Sequence, residues 1–138
     1  MNRRKLWLCV PPLALCLIDQ TITLAGQSRA YWAGLRSNAV EDNPFFRWLL
    51  QQHPLAFEAG IVVWILLFCS IILLLPRLGA MVVSVAIVLG HTWGTASWLC
   101  WKVRHGYWIM LGMFLASAIL IVWTWEKFGR KGETEERG

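Results

Sequence analysis

The sequence predicts an all-α protein, a four-helix transmembrane bundle with a short interfacial helix in its outer loop. Three observations lead there. Hydrophobic residues make up 57% of the 138 residues and charged ones only 15%, with a mean hydropathy of +0.52, against about 45–50% apolar and roughly 25% charged in a soluble domain. Four apolar stretches each reach the roughly 20 residues a helix needs to cross about 30 Å of hydrocarbon. The chain also carries ten tryptophans, many near the ends of those stretches, where a membrane–water interface favours them. A soluble enzyme or binding module of this length could not hide so much apolar surface, and the Leu/Ile/Val runs exclude disorder. Residues 1–138 therefore read as one integral membrane domain.

The first span covers residues 6–26, preceded by the basic Arg3, Arg4 and Lys5. A secretory signal peptide is the rival reading, with Thr23-Leu24-Ala25 or Ser28-Arg29-Ala30 as cleavage site. Pro11-Pro12, Asp19 and the length of the run argue for a retained span. The connection that follows, residues 27–54, is the one long loop. Within it Asn43 suits a helix N-cap and Pro44 the first helical position, so a helix is expected from Pro44 to Gln52. Its Phe45, Phe46 and Trp48 place it in the headgroup plane. His53-Pro54 repeats the punctuation and opens the second span, residues 55–75. Pro76-Arg77 turns the chain into the third, residues 78–101, and residues 102–105 into the fourth, residues 106–125. Such tight connections make neighbouring helices antiparallel. Residues 126–138 form a charged tail.

Orientation follows the positive-inside rule. With both termini cytoplasmic, the inner segments hold Arg3, Arg4, Lys5, Arg77, Lys127, Arg130, Lys131 and Arg137, and the outer ones Arg29, Arg36, Arg47, Lys102 and Arg104. Trp32, Trp48, Trp98, Trp101 and Trp108 then fall at the outer interface, and Trp7, Trp123 and Trp125 at the inner one. The basic clusters serve topology, and nucleic acid is not an expected partner. Cys9, Cys16, Cys69 and Cys100 lie in or beside apolar runs with no CxxC, and read as packing residues.

Polar groups inside the spans need a reason, because an ionisable side chain at the bilayer centre costs at least about 2.5–3.5 kcal/mol. Asp19 belongs to a stripe with Pro12, Cys16, Thr23 and Gly26 on one helical face. It either locks the bundle through a neighbouring Thr or Trp, or lines a site for a substrate, proton or ion. His91 shares a face with Gly94, Thr95 and Trp98, and is either a hydrogen-bonded packing residue or a ligand. At 1.5 Å per residue, Asp19 lies roughly 10 Å and His91 roughly 15 Å below the outer surface. Glu58, one turn into the second span, is favoured there by the helix dipole or caps a cleft from above. Glu41-Asp42, just before Asn43-Pro44, gives an acidic cluster at the same surface. Asp19, Glu58, His91, Glu41, Asn43, Thr23 and Thr95 are thus the candidate polar cluster. In contact with His91, Asp19 favours the charged imidazole. No zinc spacing and no haem pair is present, so neither a metal nor a cofactor is expected. Small-residue pairs, Gly90/Gly94, Gly112/Ala116 and Ala56/Gly60, are expected where helix backbones approach.

Asp19-Gln20-x-x-Thr23, Gly26-Gln27-x-x-Ala30-Tyr31-Trp32, Glu41-x-Asn43-Pro44 and His53-Pro54-x-x-Phe57 together form a pattern over roughly residues 15–100. It resembles uncharacterised families of small bacterial membrane proteins with an Asp in the first span and a Glu-x-Asn-Pro turn before the second. That likeness implies architecture and a bacterial cytoplasmic membrane, and no activity. A weaker likeness is to lipoprotein signal peptidase, through Asp19-Gln20, Leu89-Gly90 and Gly94. That family's two catalytic aspartates are missing: Trp98 stands at one position, and no Asp occurs around residues 114–117. An aspartic protease needs two carboxylates sharing a proton, so that chemistry is not implied.

Two functions follow. One is a non-enzymatic membrane subunit or binding module, whose polar cluster packs against its own helices, a lipid or a partner chain, a second copy included. The alternative is a small intramembrane enzyme or transporter using Asp19 and His91.

Overall fold

The computed structural model describes residues 5–129. Arg3, Arg4, Arg130, Lys131 and Arg137 of the two basic clusters lie outside the described residues, as do the side chains of Trp101 and Lys127. The described residues form six α-helices: α1 (Leu6–Ala25), α2 (Arg29–Trp32), α3 (Pro44–Gln52), α4 (Pro54–Leu74), α5 (Arg77–Lys102) and α6 (Gly106–Gly129). A 3₁₀ turn, Arg36–Asn38, lies between α2 and α3. No strand occurs among the described residues, and α1, α4, α5 and α6 are long and apolar enough to cross a membrane. The fold is an all-α bundle.

Helices α1 and α5 form the central pair, with α4 and α6 flanking it. Helix α1 runs unbroken through Pro11 and Pro12, both buried. Pro12 has no N–H to give the carbonyl of Leu8 four residues back. Ser84 on α5 donates its hydroxyl to that carbonyl at 2.7 Å, so the defect in α1 becomes an interhelical contact. Two turns further along α5, Thr92 and Ser117 of α6 share a hydrogen bond at 2.8 Å. Each such bond between spans contributes about 1 kcal/mol. Away from the long loop, Lys5 donates to the last carbonyls of α4, Leu73 O at 3.1 Å and Leu75 O at 2.7 Å, a charge placed well for a helix C-terminus. Phe68, Ile72 and Ala80 fill the interior at this end of the bundle.

The opposite end, here the loop end, is built by side chains capping backbone. Ser28 caps α2 by accepting from Tyr31 N–H at 3.1 Å. Buried Tyr31 donates its hydroxyl to the Leu50 carbonyl at 3.1 Å, tying α2 to α3. Asn43 caps α3 and accepts from the N–H groups of Phe45 and Phe46. His53 caps α4 through Nδ1, which accepts from Leu55 N–H at 3.1 Å. Helix α3 packs on α4 with Leu50 fully buried, while Phe45 and Trp48 stay exposed.

The small-residue pairs behave differently from the sequence expectation. A Cβ added at Gly90 or Gly112 meets nothing within 4 Å, and Ala116 is exposed. Gly90 faces a cavity and, among the described residues, no helix packs against the Gly112/Ala116 face of α6, so neither pair brings backbones together. Gly60 makes room for the Leu49 side chain of α3 instead of a helix backbone. Gly94 is crowded, but by a carboxylate rather than by a helix backbone.

Candidate functional site

Asp19 and His91 meet between α1 and α5, with Asp19 Oδ2 and His91 Nδ1 2.9 Å apart. Thr95, one turn further along α5, donates to the other carboxylate oxygen at 3.3 Å. The close approach is possible because Gly94 has no side chain: a Cβ there would stand 2.9 Å from Asp19 Oδ1. From α4, Trp64 donates its indole N–H to His91 Nε2 at 3.3 Å. An indole nitrogen is a donor only. Nε2 must therefore present its lone pair, and the ring proton sits on Nδ1, donated to Asp19. The chain Asp19–His91–Trp64 thus ties α1, α5 and α4 together at one depth.

Beside that chain, a cavity of about 460 Å³ lies between α1, α4 and α5 and reaches the loop segment. Asp19 and His91 line it at mid-depth, with Cys16, Ala86 and Ile87 deeper and Phe57, Ile61 and Trp64 of α4 on one wall. Gly90, Trp93 and Ser97 of α5 form the other, and Glu41, Asp42 and Asn43 lie across the top. Thr23 is buried in the α1 wall. Glu58 is not part of the lining. It accepts a hydrogen bond from Gln20, itself a lining residue, so it reaches the cluster only through that amide, and the expectation that it caps the cleft is corrected.

Gln27 holds the covering segment in place. Its amide oxygen accepts from Val40 N–H at 2.9 Å, and its nitrogen donates to Val40 O at 2.7 Å and Thr23 O at 2.9 Å. The buried amide acts as one rung of backbone between the end of α1 and the chain entering residues 41–43. Beside it, a Cβ at Gly26 would lie 2.5 Å from the Trp98 ring, so α1 ends directly under that indole.

No known protein family, curated protein or solved structure matches this chain. The motif resemblances therefore add no residue roles to those its own geometry defines.

Glu41 is half-buried, and burial pushes its carboxyl above the usual glutamate range. The Asn43 N–H, which one oxygen accepts at 2.8 Å, opposes the shift, while Asp19 and Asp42 add to it. Arg47 opposes it only through space, because its guanidinium donates to the Glu41 carbonyl and not to the carboxylate. No lysine or arginine among the described residues forms an ion pair with Glu41 or Asp42.

Trp64, Gln20 and Gln27 are the contributors that the sequence reading passed over. Trp64 carried a signal: it sits in the middle of α4, far from the interfaces that tryptophan prefers, where an indole N–H asks for a partner. Gln27 gave none, since a glutamine just after a span reads as ordinary loop.

Proposed function

We propose that this protein is a non-catalytic, membrane-embedded binding module, whose cavity between α1, α4 and α5 receives a small molecule or lipid headgroup. The loop end faces the outside and both termini the cytoplasm, in keeping with the distribution of basic residues. The observation that carries the reading is the cavity itself. Its size lies within the about 300–1,000 Å³ of small-molecule sites, and its mid-depth polar groups are fixed by hydrogen bonds from three helices.

The intramembrane enzyme or transporter has weaker support. A general base needs a nitrogen free to reach the reacting proton, and both ring nitrogens of His91 are engaged, one by Asp19 and one by Trp64. Asp19 has both oxygens in use as well. That arrangement suits a rigid wall better than a proton-transfer pair.

The test is native mass spectrometry of the full chain extracted from its own membrane, beside the variant Gly90→Phe. Gly90 lines the cavity, and a Cβ there meets open space, so the ring fills the cavity without disturbing the helix. The wild type is expected to retain a bound species that the variant lacks, with thermal unfolding unchanged. Equal retention by both, or no retained species in either, contradicts the reading.

A further inference from the structure

Resting on the reading of this cavity as a binding site, we infer that its ligand carries an ammonium group on an apolar body. Carboxylates line the space at two levels, Asp19 at mid-depth and Glu41 with Asp42 across the top. Among the described residues no lysine or arginine lines it. Arg47 is turned to a backbone carbonyl, and Lys102 sits over the Trp98 ring at 5.5 Å, in the adjoining recess. Arg47 and Lys102, which shares that recess with Glu41 and Asp42, therefore meet these carboxylates without an ion pair, and half-buried Glu41 sits where screening by water is reduced.

The carboxylates alone would draw any counter-ion; the walls narrow the choice. Phe46, Phe57, Trp64 and Trp93 line the same space, and aromatic faces attract organic cations through their quadrupoles. A metal ion fits poorly, because no three His, Cys, Asp or Glu side chains among the described residues converge to hold one. Each Asp19 oxygen already accepts one hydrogen bond, from His91 and Thr95, so Glu41 and Asp42 are the less engaged partners for the cation. Ile61 and Ile87 complete an apolar surface for the body that carries it. Gly90 and Trp93 are exposed on the α5 side of the cavity, so a lipid ammonium headgroup and a free organic amine both have a way in.

The full chain in nanodiscs would be titrated with benzyltrimethylammonium, benzyl alcohol and benzoate, by calorimetry. The cation is expected to bind at least tenfold tighter than the neutral or anionic probe. The double variant E41Q/D42N should lose at least tenfold in affinity, and Trp93→Leu, which leaves the charges intact, at least threefold. Repeating the titration in phosphatidylglycerol discs with and without phosphatidylethanolamine distinguishes the sources. Competition by phosphatidylethanolamine supports a headgroup ligand, and its absence supports a free amine. Binding of benzyl alcohol or benzoate as tight as the cation, or an unchanged affinity in E41Q/D42N, overturns the ammonium assignment and leaves the binding site standing. If no probe of any charge binds and neither lipid is retained, both proposals fall.

Discussion

Trp64 reaches across from α4 to donate to His91 Nε2 at 3.3 Å, and this fixes the one ring proton of His91 on the nitrogen facing Asp19 at 2.9 Å. Removing the donor should release that choice. In Trp64→Phe, Nε2 loses its partner, and the expected loss is about 1 kcal/mol of stability. Nitrogen-15 spectra of the imidazole should show the Nδ1–H tautomer in the wild type and a mixture in the variant. A wild-type ring protonated on Nε2 would refute the assignment.

Gly94 and Gly90 lie one turn apart on α5 and should respond oppositely to the same substitution. In Gly94→Ala the new methyl pushes on Asp19, whose carboxylate is held on two sides. The expected loss is about 1–3 kcal/mol, as for other overpacked sites. Gly90→Ala places its methyl in open space and should be neutral within about 0.5 kcal/mol. Thermal unfolding of the two variants in detergent checks this, and equal effects would contradict the geometry.

Gln27→Leu keeps the bulk of the side chain and removes three hydrogen bonds to Thr23 and Val40. Leaving such buried backbone groups unpaired costs about 1–3 kcal/mol each at most. The main expected readout is local: hydrogen exchange at Val40 and in residues 41–43 should accelerate well above that of α3, whose Asn43 cap is untouched. Unchanged exchange at Val40 would show that the amide does not pin the loop.

Glu41 gives a pH signature with a definite sign. Its carboxyl is raised above the ordinary value of 4.5, chiefly by burial, so the folded state holds the proton more tightly than the unfolded one. Stability from this group is then greatest below pH 4.5 and declines as pH rises through the raised value. Glu41→Gln should be more stable than the wild type at neutral pH, and the difference should vanish on acidification. Melting temperatures of the pair across pH 4 to 8 check it; a variant less stable at neutral pH would reverse the sign. If Glu41 also holds a cation, the same variant gains stability and loses affinity.

The proposed orientation makes a separate prediction. A membrane-impermeant thiol reagent on intact cells should label Ser37→Cys, in the exposed 3₁₀ turn of the loop, and should not label Gly132→Cys. Labelling of the latter from outside would invert the topology.

The spans were legible in the sequence because a bilayer demands length and apolarity, and both are local properties. Asn43-Pro44 and His53-Pro54 gave the starts of α3 and α4 for the same reason, since a cap needs only its own neighbours. Asp19 and His91 stood out because charge in a span is penalised, and comparable depths suggested a meeting. What the sequence could not supply was direction around each helix. Glu58 is at a plausible depth yet turned to Gln20, and Gly90 and Gly94, spaced like a packing motif, face a cavity and a carboxylate. Trp64 was one of ten tryptophans, and only the packing of α4 against α5 makes it the partner of His91.

The most direct measurement is an experimental density map of the full chain, purified with its native lipids. The account predicts non-protein density between α4 and α5, beside the Asp19–His91–Trp64 chain, in contact with Glu41 and Trp93. A cavity closed by Trp93 swinging inward, with Asp19 and His91 apart and no density between the helices, would contradict it.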